Sequence, residues 1–202
     1  MVFKTALTDD NDPALAAGYT TMTLPRSNLG SATLVNTAKA AEWTDLYKNH
    51  KADNIVITVP TARLDDLLLP LLKEPGTTES YRNINLMKMD TEGWELYVCR
   101  GASKIIELRL IDEIHSEFHP RFMRSAGYDP SWFMYLWHDA GYDIFPTGFS
   151  KPLAETDIAG FVDSVSGIIA DVKIKRRPIF DSTLPKVQRT FDAAHGHAHL
   201  FL

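Results

Sequence analysis

Three carboxylates, Asp90, Glu92 and Glu95, stand close together in residues 86–102, LMKMDTEGWELYVCRGA. Carboxylates grouped this way can take or give a proton, orient a hydroxyl or, at the start of a helix, simply satisfy its amide donors. A second group alternates along the chain: Glu113, His115, Glu117 and His119. On an extended strand these four side chains share one face. Imidazole and carboxylate ligands suit zinc or iron, so a metal site is one reading; an ordinary solvated strand is another. His115 and His119 also qualify as proton acceptors, because an unperturbed imidazole titrates near neutrality.

Chemistry of this kind needs elements to hold it. Ile84, Leu86, Met87 and Met89 form a short apolar run suited to a buried strand, with Lys88 as its single charge. Asp90 is the first polar residue beyond that run, so it falls at a strand's carboxyl end, where α/β sheets hold their ligands. Thr91 and Gly93 loosen a turn, Trp94 to Val98 start a helical repeat, and Gly101 can close that repeat as a left-handed cap.

Around this centre the pattern predicts strands at residues 2–7, 20–24, 31–35, 54–59, 110–117, 142–146 and 164–175. Residues 25–30 connect the second and third strands as a β-hairpin. Helices are expected at 38–49, 63–72 (capped by Thr61 and interrupted near Pro70), 103–108 and 130–140. The 130–140 helix has Asp129 as its cap, Pro130 at its first position and Gly141 beyond its end. Trp132, Phe133, Leu136 and Trp137 lie at helical spacings and are expected in the core.

The same residues resemble the signature of the FkbM family of S-adenosylmethionine-dependent methyltransferases. In that family a strand ends in Lys-Ile-Asp-x-Glu-Gly-x-Glu and is followed by a Leu-x-Gly-Ala helix end. Lys88, Asp90, Glu92, Gly93, Glu95, Gly101 and Ala102 fall on that pattern in register. Ala6, Leu7 and Asp9 resemble an upstream strand end of the family, and Ser27, Asn28, Gly30, Ser31 and Leu34 its Asn-x-Gly-x-x-Ser-Leu segment. Leu64, Asp65 and Asp66 resemble its Leu-Asp-Asp, and Glu113, His115, Gly141 and Tyr142 lie where its later strands end and begin. No one of these short motifs would persuade alone; their shared order does.

The resemblance implies an α/β fold, a Rossmann-like class I methyltransferase sheet with an inserted β-hairpin, as a single domain over residues 1–202. It implies S-adenosylmethionine as cofactor, with Ala6, Asp9 and Asp90 as contacts, and methyl transfer to a hydroxyl of a sugar or other small molecule. Asp90, Glu92 and His115 become the candidate catalytic residues. One element of the family has no counterpart: no G-x-G turn occurs anywhere, and Gly18 and Gly30 stand isolated. The sheet is therefore expected to be incomplete in its N-terminal half, and a non-catalytic remnant of the fold is the competing expectation.

Composition narrows the remaining classes. With 202 residues, 45% hydrophobic and 23% charged, the chain can bury a sizeable core. A net charge of -5 argues against a nucleic-acid surface, and the basic run Lys173, Lys175, Arg176 and Arg177 reads as a solvated strand end. The single cysteine, Cys99, excludes an internal disulfide framework and is expected to pack rather than react. No apolar run approaches the roughly 18 residues of a membrane span and no signal peptide is visible, so a cytoplasmic location is expected. The partner expected is a small-molecule acceptor. His195, His197 and His199 read as a weak chelating tail.

Overall fold

A computed structural model of the chain describes residues 5–8, 16–25, 33–34, 54–78 and 80–178. Expectations placed at 2–4, Asp9, 27–31, 38–49 and the three tail histidines lie outside the described residues.

Strands form two sheets. The first comprises β1 (Ala6–Leu7), β2 (Tyr19–Pro25), β3 (Thr33–Leu34) and β4 (Asn54–Ala62), in the order β1-β4-β2-β3. β2 runs antiparallel to both β3 and β4, while β1 lies parallel to β4 with Ala6 opposite Thr61. The β2–β3 pair is the β-hairpin expected from the sequence. Thr61 belongs to β4 and does not cap the following helix, α1 (Leu64–Leu72), whose N-cap position is Arg63. Pro70 sits inside α1 near its end without terminating it. The missing amide removes one backbone bond, the one that would run to the Asp66 carbonyl, and the helix continues past it.

The second sheet carries the acidic turn. It contains β5 (Ile84–Met89), β6 (Ile111–Phe118), β7 (Tyr142–Pro146) and β8 (Ala170–Arg176), ordered β5-β6-β8-β7. β5 and β6 are parallel, and β8 inserts antiparallel between β6 and β7. Among the described residues β5 is an edge strand. The connections are helical: α2 (Glu95–Arg100), α3 (Ser103–Glu107), α4 (Pro120–Ala126), α5 (Ser131–Asp139) and α6 (Ile158–Ser164), the last preceded by a 3-10 turn at Glu155–Asp157.

Alternation decides which face is buried. Ile114, Ser116 and Phe118 on β6, Val172 and Ile174 on β8, and Tyr142 and Ile144 on β7 point into the core. The expected α5 residues meet them: Phe133 and Trp137 are fully buried, Leu136 is 6% exposed, and Trp132 packs at the margin. The Trp137 ring stands edge-on to Tyr142 at 5.0 Å, and Phe118 stacks on Phe133 at 6.1 Å. Each such side chain contributes about 1.5–3 kcal/mol by leaving water. Cys99 is buried among them, its thiol pushed well up by burial, so it packs as expected.

Three departures from the expected elements have local causes. The final strand starts at Ala170 rather than at residue 164, because α6 runs through Ser164 and leaves Ile168 and Ile169 more than half exposed in the turn that follows. α4 was not expected; Pro120 at its first position and Gly127 at φ 104° beyond its end mark both boundaries. Gly101 is not a left-handed cap, since its φ is -69°. A side chain there would collide with the Thr8 carbonyl oxygen, so glycine is needed for the close approach of β1 to the α2–α3 junction.

Candidate functional site

The acidic turn is shaped from within. Glu92 adopts φ 53° and Gly93 φ 97°, both left-handed, and the Trp94 amide closes the turn on the Thr91 carbonyl at 3.2 Å. A Cβ on Gly93 would lie 2.7–2.8 Å from backbone and Cβ atoms of Phe122, so α4 presses directly against the turn. Glu95 folds back to complete it. Its Oε1 accepts the amide protons of Thr91 and Gly93, each at 3.2 Å, and the residue is only 2% exposed. The next amide, of Leu96, donates to the Tyr128 hydroxyl at 3.3 Å.

The two sequence candidates in the turn differ in surroundings. Asp90 is exposed, and its Oδ2 accepts from Lys88 Nζ at 2.6 Å. Glu92 is half-buried, and its carboxyl is raised above the usual range first by burial and then by the charges of Glu117, Asp90 and Glu95. Glu117, on the neighbouring strand, is raised by burial and by Asp90 and Asp171, against the opposing pull of Lys88. Three acids thus gather where β5 and β6 end, with β8 adding Asp171 at its start.

The uncovered face of the second sheet is layered in charge. Lys88, His115, Lys173 and Phe145 lie in one row across the four strands, and Leu86, Glu113, Lys175 and Asp143 in the next. The Lys173 ammonium rests 5.6 Å from the centre of the Phe145 ring. Together with Glu117, Asp171 and Phe149 the first row borders a cleft of about 630 Å³.

His115 belongs to this face and not to the strand end, and its Nε2 lies 2.6 Å from Glu113 Oε1. Lys175 holds the other oxygen of Glu113 at 2.8 Å, and these two partners keep its carboxyl below the usual range. The expected alternation of Glu113, His115 and Glu117 on one face is therefore present, but it does not make a metal centre. Among the described residues no group of three or more His, Cys, Asp or Glu is arranged to hold an ion. The Glu113 carboxylate is already engaged by Lys175 and His115.

His119 stands at the end of β6. Its ring stacks on Phe122 at 3.9 Å and 8°, its Nδ1 is buried, and burial lowers its pKa, so the imidazole is neutral at pH 7. Phe122 thereby touches both Gly93 and His119, linking the ends of β5 and β6. The fixed ring of His119 follows from α4, the helix that sequence reasoning missed; Pro120 followed seven residues later by Gly127 was the signal for it.

Ala6 is buried in β1 beside β4. Asp90 lies at the sheet's carboxyl end, and Asp9 is outside the described residues. Gly93 and Gly101 give up their side-chain space to Phe122 and Thr8, so neither leaves a cradle for a ligand. The described residues bring the carboxyls of Asp90, Glu92 and Glu117 together at this strand end.

The basic run is a clamp. Arg177 donates to Asp143 Oδ1 at 2.9 Å, to the Tyr142 carbonyl at 2.8 Å and to the His138 carbonyl at 3.1 Å. Arg109, at φ 54°, donates to the carbonyls of Gly141 and Arg177. Among the described residues, no helix is long and apolar enough to cross a membrane.

Comparison with known proteins gives no significant match to a curated protein or to a solved structure. A family model, the methyltransferase FkbM domain, matches residues 5–144, a span that contains the acidic turn, β6 and α4. With the signature in register and an α/β sheet presenting it at a strand end, the chain belongs to the FkbM methyltransferase family.

Proposed function

We propose that the chain acts in S-adenosylmethionine-dependent methyl transfer to a hydroxyl of a sugar or another small polar acceptor. The observation that carries this reading is the acidic turn itself: Glu92, with a raised carboxyl pKa, stands with Asp90 and Glu117 at the carboxyl end of the parallel β5–β6 pair, and Glu117 lines the open cleft. A hydroxyl acceptor must lose its proton as the methyl group arrives. A carboxylate whose pKa lies nearer neutrality is a better general base than an ordinary one.

Glu92 is accordingly the proton acceptor in this reading. Asp90, held by Lys88, orients the acceptor, and His115 contacts it lower in the cleft. Glu117 and Asp171 accept hydroxyl protons, while the Phe145 and Phe149 rings offer flat apolar surfaces to the C–H face of a ring polyol. The methyl group comes from the cofactor, for which Ala6, Asp9 and Asp90 are the proposed contacts. A Rossmann-like continuation of the sheet would use the edge of β5.

The second reading, a fold that kept the acceptor wall without cofactor binding, is favoured by the absence of a glycine cradle among the described residues. Calorimetric titration of the 202-residue chain with S-adenosylhomocysteine separates the two. Micromolar binding supports the methyltransferase reading, and no binding at millimolar ligand overturns it for this chain.

A further inference from the structure

Glu95 is a buried carboxylate without a cation. It is 2% exposed, Oε1 accepts the Thr91 and Gly93 amides, Oε2 is buried with no hydrogen-bond partner among the described residues, and burial raises its carboxyl above the usual range. Burying such a charge opposes folding, and an apolar side chain of similar size would fill the space at lower cost. Nor does Glu95 serve as an ordinary helix cap. It is the first residue of α2 and turns back on the residues before it.

The amides it binds flank Glu92, one on each side. Glu92 holds a left-handed φ of 53°, a conformation that costs a residue with a side chain roughly 1–2 kcal/mol. Something must hold the turn around it, and Glu95 Oε1 binds the peptide unit that follows Glu92, through the Gly93 amide, and the unit one residue before it, through the Thr91 amide. We propose that Glu95 is the positioning residue of this site: by binding the Thr91 and Gly93 amides, its carboxylate fixes Glu92 in the left-handed conformation beside Asp90 and Glu117. Glu95 also adds to the charges that raise the Glu92 carboxyl, after Glu117 and Asp90, while burial raises the carboxyl of Glu95 itself. The other charges facing Glu92 are Asp90 on its own turn and Glu117 on β6, with Lys88 on β5 paired to Asp90. This deepens the acceptor-wall reading, and its functional meaning rests on that reading.

Two variants separate the carboxylate's geometry from its charge. Glu95→Gln keeps one oxygen to accept both amides and removes the charge; Glu95→Ala removes both. Carbon-13 titration of the Glu92 carboxyl and hydrogen exchange of the Thr91 and Gly93 amides are measured on the full chain without cofactor or acceptor. In Glu95→Gln the two amides stay protected and the Glu92 titration midpoint falls. In Glu95→Ala the two amides exchange faster by at least about tenfold, as expected on losing a charged acceptor, while amides of β6 keep their protection. Unchanged exchange in Glu95→Ala overturns the proposal. Should Glu95→Ala not fold, Glu95→Met, which keeps the buried volume and offers the two amides no oxygen, replaces it in the exchange measurement. Neither readout involves methyl transfer, so failure here is distinct from failure to bind S-adenosylhomocysteine.

Discussion

Asp65 Oδ1 accepts the amide proton of Ile105 at 3.0 Å across 40 residues of sequence. Its other oxygen accepts the Lys104 amide at 2.9 Å and the Arg63 guanidinium at 3.2 Å, and the Asp65 amide donates to the Gly101 carbonyl at 2.9 Å. One aspartate from the Leu-Asp-Asp motif thus caps α3, the helix that follows the acidic signature. The two motifs are parts of one structural unit.

Asp65 is 3% exposed, so its loss strands the buried Ile105 amide and the half-buried Lys104 amide. Asp65→Ala should lower unfolding stability by about 2–3 kcal/mol, the scale of a lost cap with a charged acceptor. Asp66, exposed on the same helix, should tolerate alanine within about 0.5 kcal/mol. Urea denaturation of both variants checks this; equal losses would deny Asp65 its capping role.

Gly93→Ala meets two obstacles, a positive φ and the backbone of Phe122. The first costs about 1–2 kcal/mol and the second about 1–3 kcal/mol if α4 must shift. Gly148 provides the control, because it shares a positive φ of 87° but has nothing within 4 Å of a built Cβ. Denaturation midpoints should therefore rank Gly148→Ala well above Gly93→Ala. Similar midpoints would show that α4 does not brace the turn.

Much of this was legible in the sequence because local signals and tertiary packing agreed. The apolar run before Asp90, the glycine after Glu92 and the Asp129-Pro130 start of α5 each carry their own mechanism, and Asp129 Oδ1 does accept the Ser131 amide at 2.9 Å. Where they disagreed, the sequence misled. Val165, Ile168 and Ile169 look like strand residues, yet only Val165 is buried, by the last turn of α6. The role of Glu95 was equally hidden, since a carboxylate near a helix start reads as solvated and nothing in its spacing shows that it turns inward. Nor could the sequence show that Glu113, one of the four alternating residues, is matched to Lys175 from a strand about 60 residues away.

Glu117 offers a pH test. Its folded-state pKa is raised, so the native protein holds this proton above the ordinary glutamate value of about 4.3, where the unfolded chain has lost it. Stability from this group is therefore greatest at low pH and declines as pH rises through the folded-state pKa. Glu117→Gln removes that decline. The stability difference between variant and wild type should shift in the variant's favour between pH 4 and pH 8, as read from paired melts. A constant difference across that range would mean that Glu117 is not held among the neighbouring acids.

Lys88 and Asp90 form an exposed ion pair, with side chains 70% and 41% accessible. Such pairs contribute about 0–1 kcal/mol to stability, so Lys88→Ala should leave the denaturation midpoint nearly unchanged. Its electrostatic effect should be larger than its structural one. Lys88 is the cation that opposes proton retention by Glu117, and it neutralises Asp90, one of the charges raising Glu92. Removing it leaves three acids with less compensation, so both carboxyls should hold their protons to higher pH. If Glu92 accepts the acceptor's proton, the acid limb of the methyl-transfer profile moves to higher pH in Lys88→Ala and returns in Lys88→Arg. An acid limb that stays in place in Lys88→Ala would assign the proton to a group outside this cluster, with the neutral, Phe122-stacked His119 next in line.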